Sequence, residues 1–231
     1  MDLPSQLPLD NKKIFIIMNP NSGAQKQGLW WVRRLLGIKD VKHTYDSKEA
    51  LLKGVIQVFN HHGIEAYGDF TKAPGHATAL AKKAVQEGVN TIVVVGGDGT
   101  INEVVNGMAH TNVALGVIPF GTANVFGLAF DLSMNVEQAC KNIVFGTKKQ
   151  IDLGKINDTY FACMAGVGFD AFVIQKVDKK IKKMMGALSY VLIAFWEILK
   201  YQFCPILFTV DGELNPKKGY FLIIILEIAG A

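Results

Sequence analysis

Three short, unbroken apolar runs govern what this 231-residue chain can become: Ile14 to Met18, Thr91 to Val95 and Leu115 to Ile118. A strand without polar alternation has no face to leave in water, so it must be covered on both sides. Helices laid on the two faces of a parallel sheet provide that cover, and the intervening sequence supplies them. Asp46-Ser47-Lys48-Glu49 resembles a capping box ahead of Leu51, Leu52, Val55, Val58 and Phe59, whose 3–4 spacing marks one helix face closed by Gly63. A strand near Glu65 to Asp69 precedes a helix from about His76 to Glu87, stopped by Gly88, and the run 91–95 precedes a helix from about Ile101. Val136 to Phe145 forms a further helix ended by Gly146, and a helical stretch around Trp30 and Trp31 follows the first turn.

Beyond Gly146 the pattern changes. Gln150 to Ile156, Tyr160 to Met164, Ile206 to Val210 and Tyr220 to Ile228 read as strands, interrupted by one long helical stretch from about Ile174 to Lys200. This predicts a strand-rich second lobe, with domains over 12–133 and 134–231. Phe221 to Leu226 has no polar alternation and calls for burial on both faces, yet the sequence stops five residues later. A chain cut short, as a fragment or an interrupted reading frame, is the expectation.

Charge and cysteine content narrow the class. Lys+Arg number 24 and Asp+Glu 20, and the octapeptide Lys176 to Lys183, with five lysines and one aspartate, accounts for the whole net +4. A nucleic-acid footprint needs a wider basic stripe, so no nucleic-acid partner is expected. Cys140, Cys163 and Cys204 are odd in number and lack metal-clamp spacing, which fits free thiols in a reducing compartment. The first ten residues lack the basic-then-apolar pattern of a signal peptide, and the sixteen-residue run Met184 to Leu199 falls short of the roughly 20 residues needed to cross a bilayer. A cytoplasmic location, peripheral at most to a membrane, is expected.

The chemistry centres on Gly96-Gly97-Asp98-Gly99-Thr100, between a strand and a helix containing Asn102 and Glu103. Three glycines in four positions let backbone N–H groups meet an anion, and the helix N-terminus adds favourable partial charge. That is a phosphate seat, different from both G-x-G-x-x-G and G-x-x-x-x-G-K-[ST]. A carboxylate there is repulsive to phosphate unless it holds a metal ion or accepts a proton, and both uses belong to phosphoryl transfer. The other reading of Asp98 is a local cap. Loops Asn19 to Gly23, Thr71 to Gly75 and Pro119 to Asn124 fall at the same sheet edge, the carboxyl ends of the strands, where open α/β sheets bind ligands.

Asn19-Pro20-Asn21-Ser22-Gly23, Thr71 with Gly75-His76-Ala77, GGDGTINEVVNG at 96–107, PFGTAN at 119–124 and GVGFDA at 166–171 together resemble the diacylglycerol kinase catalytic domain family, which includes bacterial lipid kinases, sphingosine kinases and ceramide kinases. The resemblance implies an α/β fold: a Rossmann-like parallel-sheet lobe, of the phosphofructokinase and NAD kinase kind, followed by a β-sandwich lobe that is incomplete here. It implies ATP with Mg²⁺ as cofactors and a lipid hydroxyl as acceptor. By motif, Asn19, Pro20, Asn21, Ser22, Gly23, Thr71 and Gly75 line the nucleotide. Gly96, Gly97, Gly99 and Thr100 hold phosphates, and Glu103, Thr122 and Asn124 contact the nucleotide. Asp98 is the catalytic acid residue, meeting the nucleotide-bound Mg²⁺. Asp170 is the lipid-head contact, with an exposed turn aspartate as the other reading, and Lys182 or Lys183 meets phosphate. Family members run longer, and bacterial ones place a further catalytic carboxylate and a metal site in the part absent here.

Lys176, Lys179, Lys180, Lys182 and Lys183 lead into Met184, Met185, Leu188, Tyr190, Val191, Leu192, Phe195 and Trp196. Lysines beside an aromatic amphipathic helix suit an anionic membrane surface, at roughly 1 kcal/mol per Lys; a solvated turn before a core helix is the alternative. A homodimer is a further open expectation. Two rival functions remain: a soluble-substrate kinase of the NAD kinase type, and a nucleotide-binding, catalytically silent fragment.

Overall fold

A computed structural model describes residues 12–23, 46–176, 193, 195–198, 200–201, 204–211, 216–220 and 222–226. The expected helix around Trp30 and Trp31, and Lys179, Lys180, Lys182 and Lys183, lie outside the described residues.

Among the described residues four parallel strands form the centre: β1 (Lys13–Met18), β2 (Glu65–Phe70), β3 (Thr91–Gly96) and β4 (Ala114–Pro119), in the order β2-β1-β3-β4. Helices α1 (Lys48–His61), α2 (His76–Gln86) and α3 (Asp98–Met108) each precede the next strand, as parallel pairing requires. The apolar runs are covered on both faces because their alternate residues enter two cores. Ile14, Ile16, Met18, Val93 and Val95 pack with Leu51, Val55 and Phe59 of α1. Phe15, Ile17, Ile92 and Val94 pack with Ala77, Leu80, Ala84, Ile101, Val104 and Val105 of α2 and α3. A short helix α4 (Val125–Ala129) follows β4, and α5 (Val136–Phe145) adds Val136, Ala139, Cys140 and Val144 to the α1 side of the core. The first lobe's core therefore extends past residue 133.

Ser47, rather than Asp46, caps α1: its hydroxyl accepts from Ala50 N–H at 3.1 Å. The reason is spacing, since a cap bonds the amide three residues on and Ser47 alone holds that position here. Helix α3 begins at Asp98, three residues earlier than the apolar periodicity suggests, directly from the glycine pair.

After residue 146, three two-stranded antiparallel sheets are found among the described residues. They are β5 (Gly154–Ile156) with β6 (Thr159–Phe161), β7 (Met164–Val167) with β10 (Leu222–Ile225), and β8 (Ile206–Phe208) with β9 (Lys217–Gly219). Helix α6 (Phe169–Lys176) follows β7 and begins five residues before the helix expected from sequence. The single strand expected over Tyr160 to Met164 is broken at Ala162 and Cys163, because Ala162 leaves the ladder to enter the α2–α3 side of the core. Strand β10 pairs only with β7 among the described residues, so burial alternates along it and Ile225 is 73% exposed rather than covered on both faces.

Helices α2 and α3 touch backbone to backbone at Gly107. A Cβ placed there would lie 2.6 Å from both the Thr78 carbonyl oxygen and the Ala81 Cβ. In an open helix Gly→Ala stabilises by about 1 kcal/mol; here overpacking, about 1–3 kcal/mol, has the opposite sign and wins. Gly107→Ala is expected to lower the urea midpoint, and a raised midpoint would show that the two helices part at no cost.

Candidate functional site

The strand order reverses between β1 and β3, so the chain leaves these neighbours toward opposite sides and opens a crevice at their carboxyl ends. Asn19 and Gly97 stand at that point. Asn19 N–H donates to the Val95 carbonyl at 3.1 Å, and its side-chain amide donates to the Thr100 hydroxyl at 3.0 Å. Thr100 is thereby buried against the first loop, at 6% exposure. Asn19 also accepts from Asn21 N–H at 2.9 Å, and Ser22 N–H donates to the Asn19 carbonyl, which closes the turn holding Pro20. Gly23 lies on the Phe120 ring: a Cβ there would be 2.2 Å from it.

The second loop reaches the same edge through Thr71, whose N–H donates to the Met18 carbonyl at 2.9 Å. Gly75, at φ +81°, is the N-cap of α2 and supplies no side chain to it. Glu103 of α3 does so instead, accepting from Ala77 N–H at 3.1 Å while its carbonyl accepts from the Thr78 hydroxyl at 2.8 Å. The carboxylate expected at the nucleotide is thus engaged at the head of α2.

The third loop is pressed onto the glycine turn. A Cβ on Gly121 would sit 2.5 Å from the Gly97 Cα, so the two turns meet where only glycines fit. Asn124, at φ +51°, holds this loop by accepting from Gly121 N–H at 2.7 Å, with the half-buried Thr122 between them. Asp98 ties the two turns, because its Oδ1 accepts from Phe126 N–H at 3.0 Å. It caps the neighbouring short helix rather than its own, and that bond engages one of its two carboxylate oxygens. Gly99 beside it is exposed, and a Cβ there would meet nothing within 4 Å. Open backbone amides at the first turn of an eleven-residue helix suit an anion.

Loops 19–23, 96–100 and 121–124 are therefore in mutual contact, with Thr71 one strand away. Asp170 lies apart in sequence and lobe, as the second residue of α6 just after β7. Among the described residues no three His, Cys, Asp or Glu side chains cluster as a metal site, and no helix is long and apolar enough to cross a membrane. A Mg²⁺ ion here would draw most of its oxygens from phosphates and water, with Asp98 as the protein's carboxylate.

Residues 44–156 match the family model described as diacylglycerol kinase catalytic domain. The chain is 31% identical over 222 residues to a diacylglycerol kinase of Staphylococcus carnosus, covering 95% of this chain and 65% of that one. This chain carries a diacylglycerol kinase catalytic domain. It is also 39% identical over 144 residues to a diacylglycerol kinase of Bacillus subtilis, covering 61% of this chain and 48% of that protein. A crystal structure of a diacylglycerol kinase from Bacillus anthracis shares its fold, with a TM-score of 0.62 at 24% identity over 92% of this chain and 63% of that one. The chain thus spans about half to two thirds of the length of these relatives.

Two side chains around this site escape sequence reasoning. Lys48, at the start of α1, donates to the Ser22 carbonyl and stands 4.3 Å over the Phe120 ring, so it clamps two loops at once. Nothing in a capping segment signals that reach. Cys163 is the other, a half-buried thiol whose pKa is raised by burial and, in second place, by the charge of Asp98. Burial also pushes Cys140 up to about 12, which leaves about one part in ten thousand as thiolate at pH 8. At that pH iodoacetamide should alkylate exposed Cys204 first, Cys163 slowly and Cys140 not at all. Asp98→Asn removes the charge that disfavours the Cys163 thiolate, so its alkylation, followed by peptide mass spectrometry, should quicken. An unchanged rate would place that thiol out of reach of Asp98.

Proposed function

We propose that this chain is the nucleotide-binding part of an ATP-dependent lipid kinase that transfers a γ-phosphoryl group to a lipid hydroxyl, that of diacylglycerol or a related lipid. The observation that carries the reading is the packing of Gly97 on Gly121 with Asp98 bound across the two turns. It joins open backbone amides and one carboxylate at a sheet switch point. The family match over 44–156 gives the chemistry its class.

ATP supplies the phosphoryl group, and its Mg²⁺ spreads the charge that develops on transfer. The chain's own residues then have distinct tasks. Backbone amides of Gly97 and Gly99 bind phosphate oxygens, while Thr100 N–H, which donates to the Gly97 carbonyl at 2.9 Å, holds the turn in shape. Asn19 fixes the first loop against Thr100, so that the turn Pro20 to Gly23 forms one wall. Thr122 and Asn124, after β4, form the opposite edge, and Thr71, after β2, lies on the outer side of the first loop. Asp98, oriented by Phe126 N–H, uses its other oxygen toward the metal or the acceptor hydroxyl proton. Asp170 contacts the polar head of the lipid.

Radiolabelled ATP offered with a panel of lipid alcohols tests this directly. Labelled lipid is expected, with Asp98→Asn reducing the rate about 10²-fold or more, the scale of one lost general base. No labelled lipid, or full activity in Asp98→Asn, overturns the reading.

The acceptor stays in a bilayer, and the five lysines from Lys176 to Lys183 supply the attraction to an anionic surface. Co-sedimentation with vesicles should rise with phosphatidylserine content and fall when all five are changed to Gln. Binding indifferent to both removes the membrane contact.

A further inference from the structure

Helix α3 has a second grip that the phosphoryl chemistry does not call on. The Asn106 side chain pairs with both backbone groups of Tyr160, 54 residues away in the second lobe. Its Nδ2 donates to the Tyr160 carbonyl at 2.8 Å, and its Oδ1 accepts from Tyr160 N–H at 2.8 Å. The same Nδ2 donates to the Asn102 carbonyl at 2.8 Å, which pins the amide to its own helix. Just past the end of α3, in a turn at φ +62°, His110 Nε2 is 2.7 Å from the Tyr160 hydroxyl, with the two rings edge to face at 5.1 Å. Asn106 thus takes the place of a neighbouring strand along the free side of β6, whose other side pairs with β5.

The residues just after β6 make the grip consequential. Ala162 enters the core shared with α2 and α3, and Cys163 comes within electrostatic reach of Asp98. The Cys163 carbonyl accepts from Leu226 N–H at 2.9 Å at the end of β10, and β7 starts at the next residue. One short segment therefore runs from the Asn106 grip, through the core shared with α2 and α3, into the β7–β10 sheet and on to α6.

We propose that Asn106 is a positioning residue: it couples the glycine turn at the head of α3 to the segment 159–167, and so sets where the second lobe presents its acceptor side to Asp98. The inference rests on the nucleotide-binding role of the glycine turn and adds the part of the chain through which the nucleotide site and the second lobe are registered. A helix is stiff along its axis, so an anion bound at residues 97–100 restrains the whole of α3, and Asn106 passes the restraint to Tyr160.

The test compares hydrogen–deuterium exchange of the full chain with and without saturating Mg²⁺-ATP, alongside the nucleotide dissociation constant. In the wild type, ATP should slow exchange in peptides covering 159–167. Asn106→Ala should speed basal exchange at Tyr160 by about tenfold, the scale of one lost hydrogen bond. It should also keep nucleotide affinity within about twofold and abolish the ATP-dependent slowing over 159–167. Loss of packing alone would raise basal exchange yet leave the ATP response in place, and that result overturns the proposal. Where Asn106→Ala does not fold, Asn106→Asp keeps the acceptor for Tyr160 N–H, removes the donor to its carbonyl, and is judged by the same loss or retention of the ATP response. A wild type that binds ATP without slowing 159–167 overturns the coupling alone, whereas a wild type that binds no ATP overturns the nucleotide reading and the coupling with it.

Discussion

The hydrogen bonds and close contacts made by α3 are the constraint on which the rest of the molecule depends. Eleven helical residues carry obligations in several directions, and the 3.6-residue period sorts them. Ile101, Val104, Val105 and Met108 take the core. Glu103 and Gly107, four apart and therefore on one face, both serve α2: the first caps it and the second admits its backbone. Asn106, and His110 in the turn that follows the helix, both meet Tyr160. Asp98 and Thr100 at the head of the helix hold the loops on either side. No face is spare, so a shift of α3 is felt at the phosphate turn, at α2 and in the second lobe together.

Loops are costly to order, at about 1–2 kcal/mol of backbone entropy per residue, and a site built from three of them must meet that cost before a ligand arrives. Side-chain-to-backbone bonds do this throughout. Asn19, Asn124 and Asp98 each satisfy amides in or beside a turn, and Lys48 satisfies a carbonyl. Each such bond is worth about 1 kcal/mol net, too little individually to hold a loop. Their arrangement matters more, because 19–23 is tied to α3, α3 to α4, and Lys48 of α1 both to 19–23 and to the Phe120 ring at the start of the loop before α4, which closes a ring around the crevice. The amides left open at Gly99 are then fixed in space without having spent themselves on internal partners.

The parallel sheet was legible because burial on both faces leaves a one-dimensional mark, an unbroken apolar run, and the glycine turn was legible because its residues are adjacent. The remaining parts of the site were not, for a common reason. Asn106, Cys163 and Lys48 matter through partners 54, 65 and 26 residues away, and a single chain carries no trace of such pairings. Glu103 is marked by the motif, but its bonds to the amide and hydroxyl of α2, 26 and 25 residues away, are no more legible than the others. In the second lobe, Lys217–Gly219 has no apolar signature at all and is a strand only because Ile206–Phe208 pairs with it. The break at Ala162 and Cys163 arises from packing against α3, which the apolar run Phe161 to Met164 could not announce.

These differences bear on how firmly each part is held. The central sheet has four strands and two covered faces, so opening it exposes the whole core. A two-stranded sheet is marginal in water unless something packs against it, and each pair after residue 146 has to find that support. For β5–β6 the support is Asn106 and His110, joined by Phe161 and Ala162 in the core. For β7–β10 it is the bond from Leu226 N–H to Cys163, while Met164, Ile223 and Ile225 on the other side remain exposed. Much of the order of residues 154–163 is therefore borrowed from α3, through the bonds to Tyr160 and through Ala162 in the core that α3 shares with α2. The loops at the carboxyl ends of the central strands thus rest on two covered cores, whereas β7–β10 leaves Met164, Ile223 and Ile225 exposed and is held more lightly among the described residues.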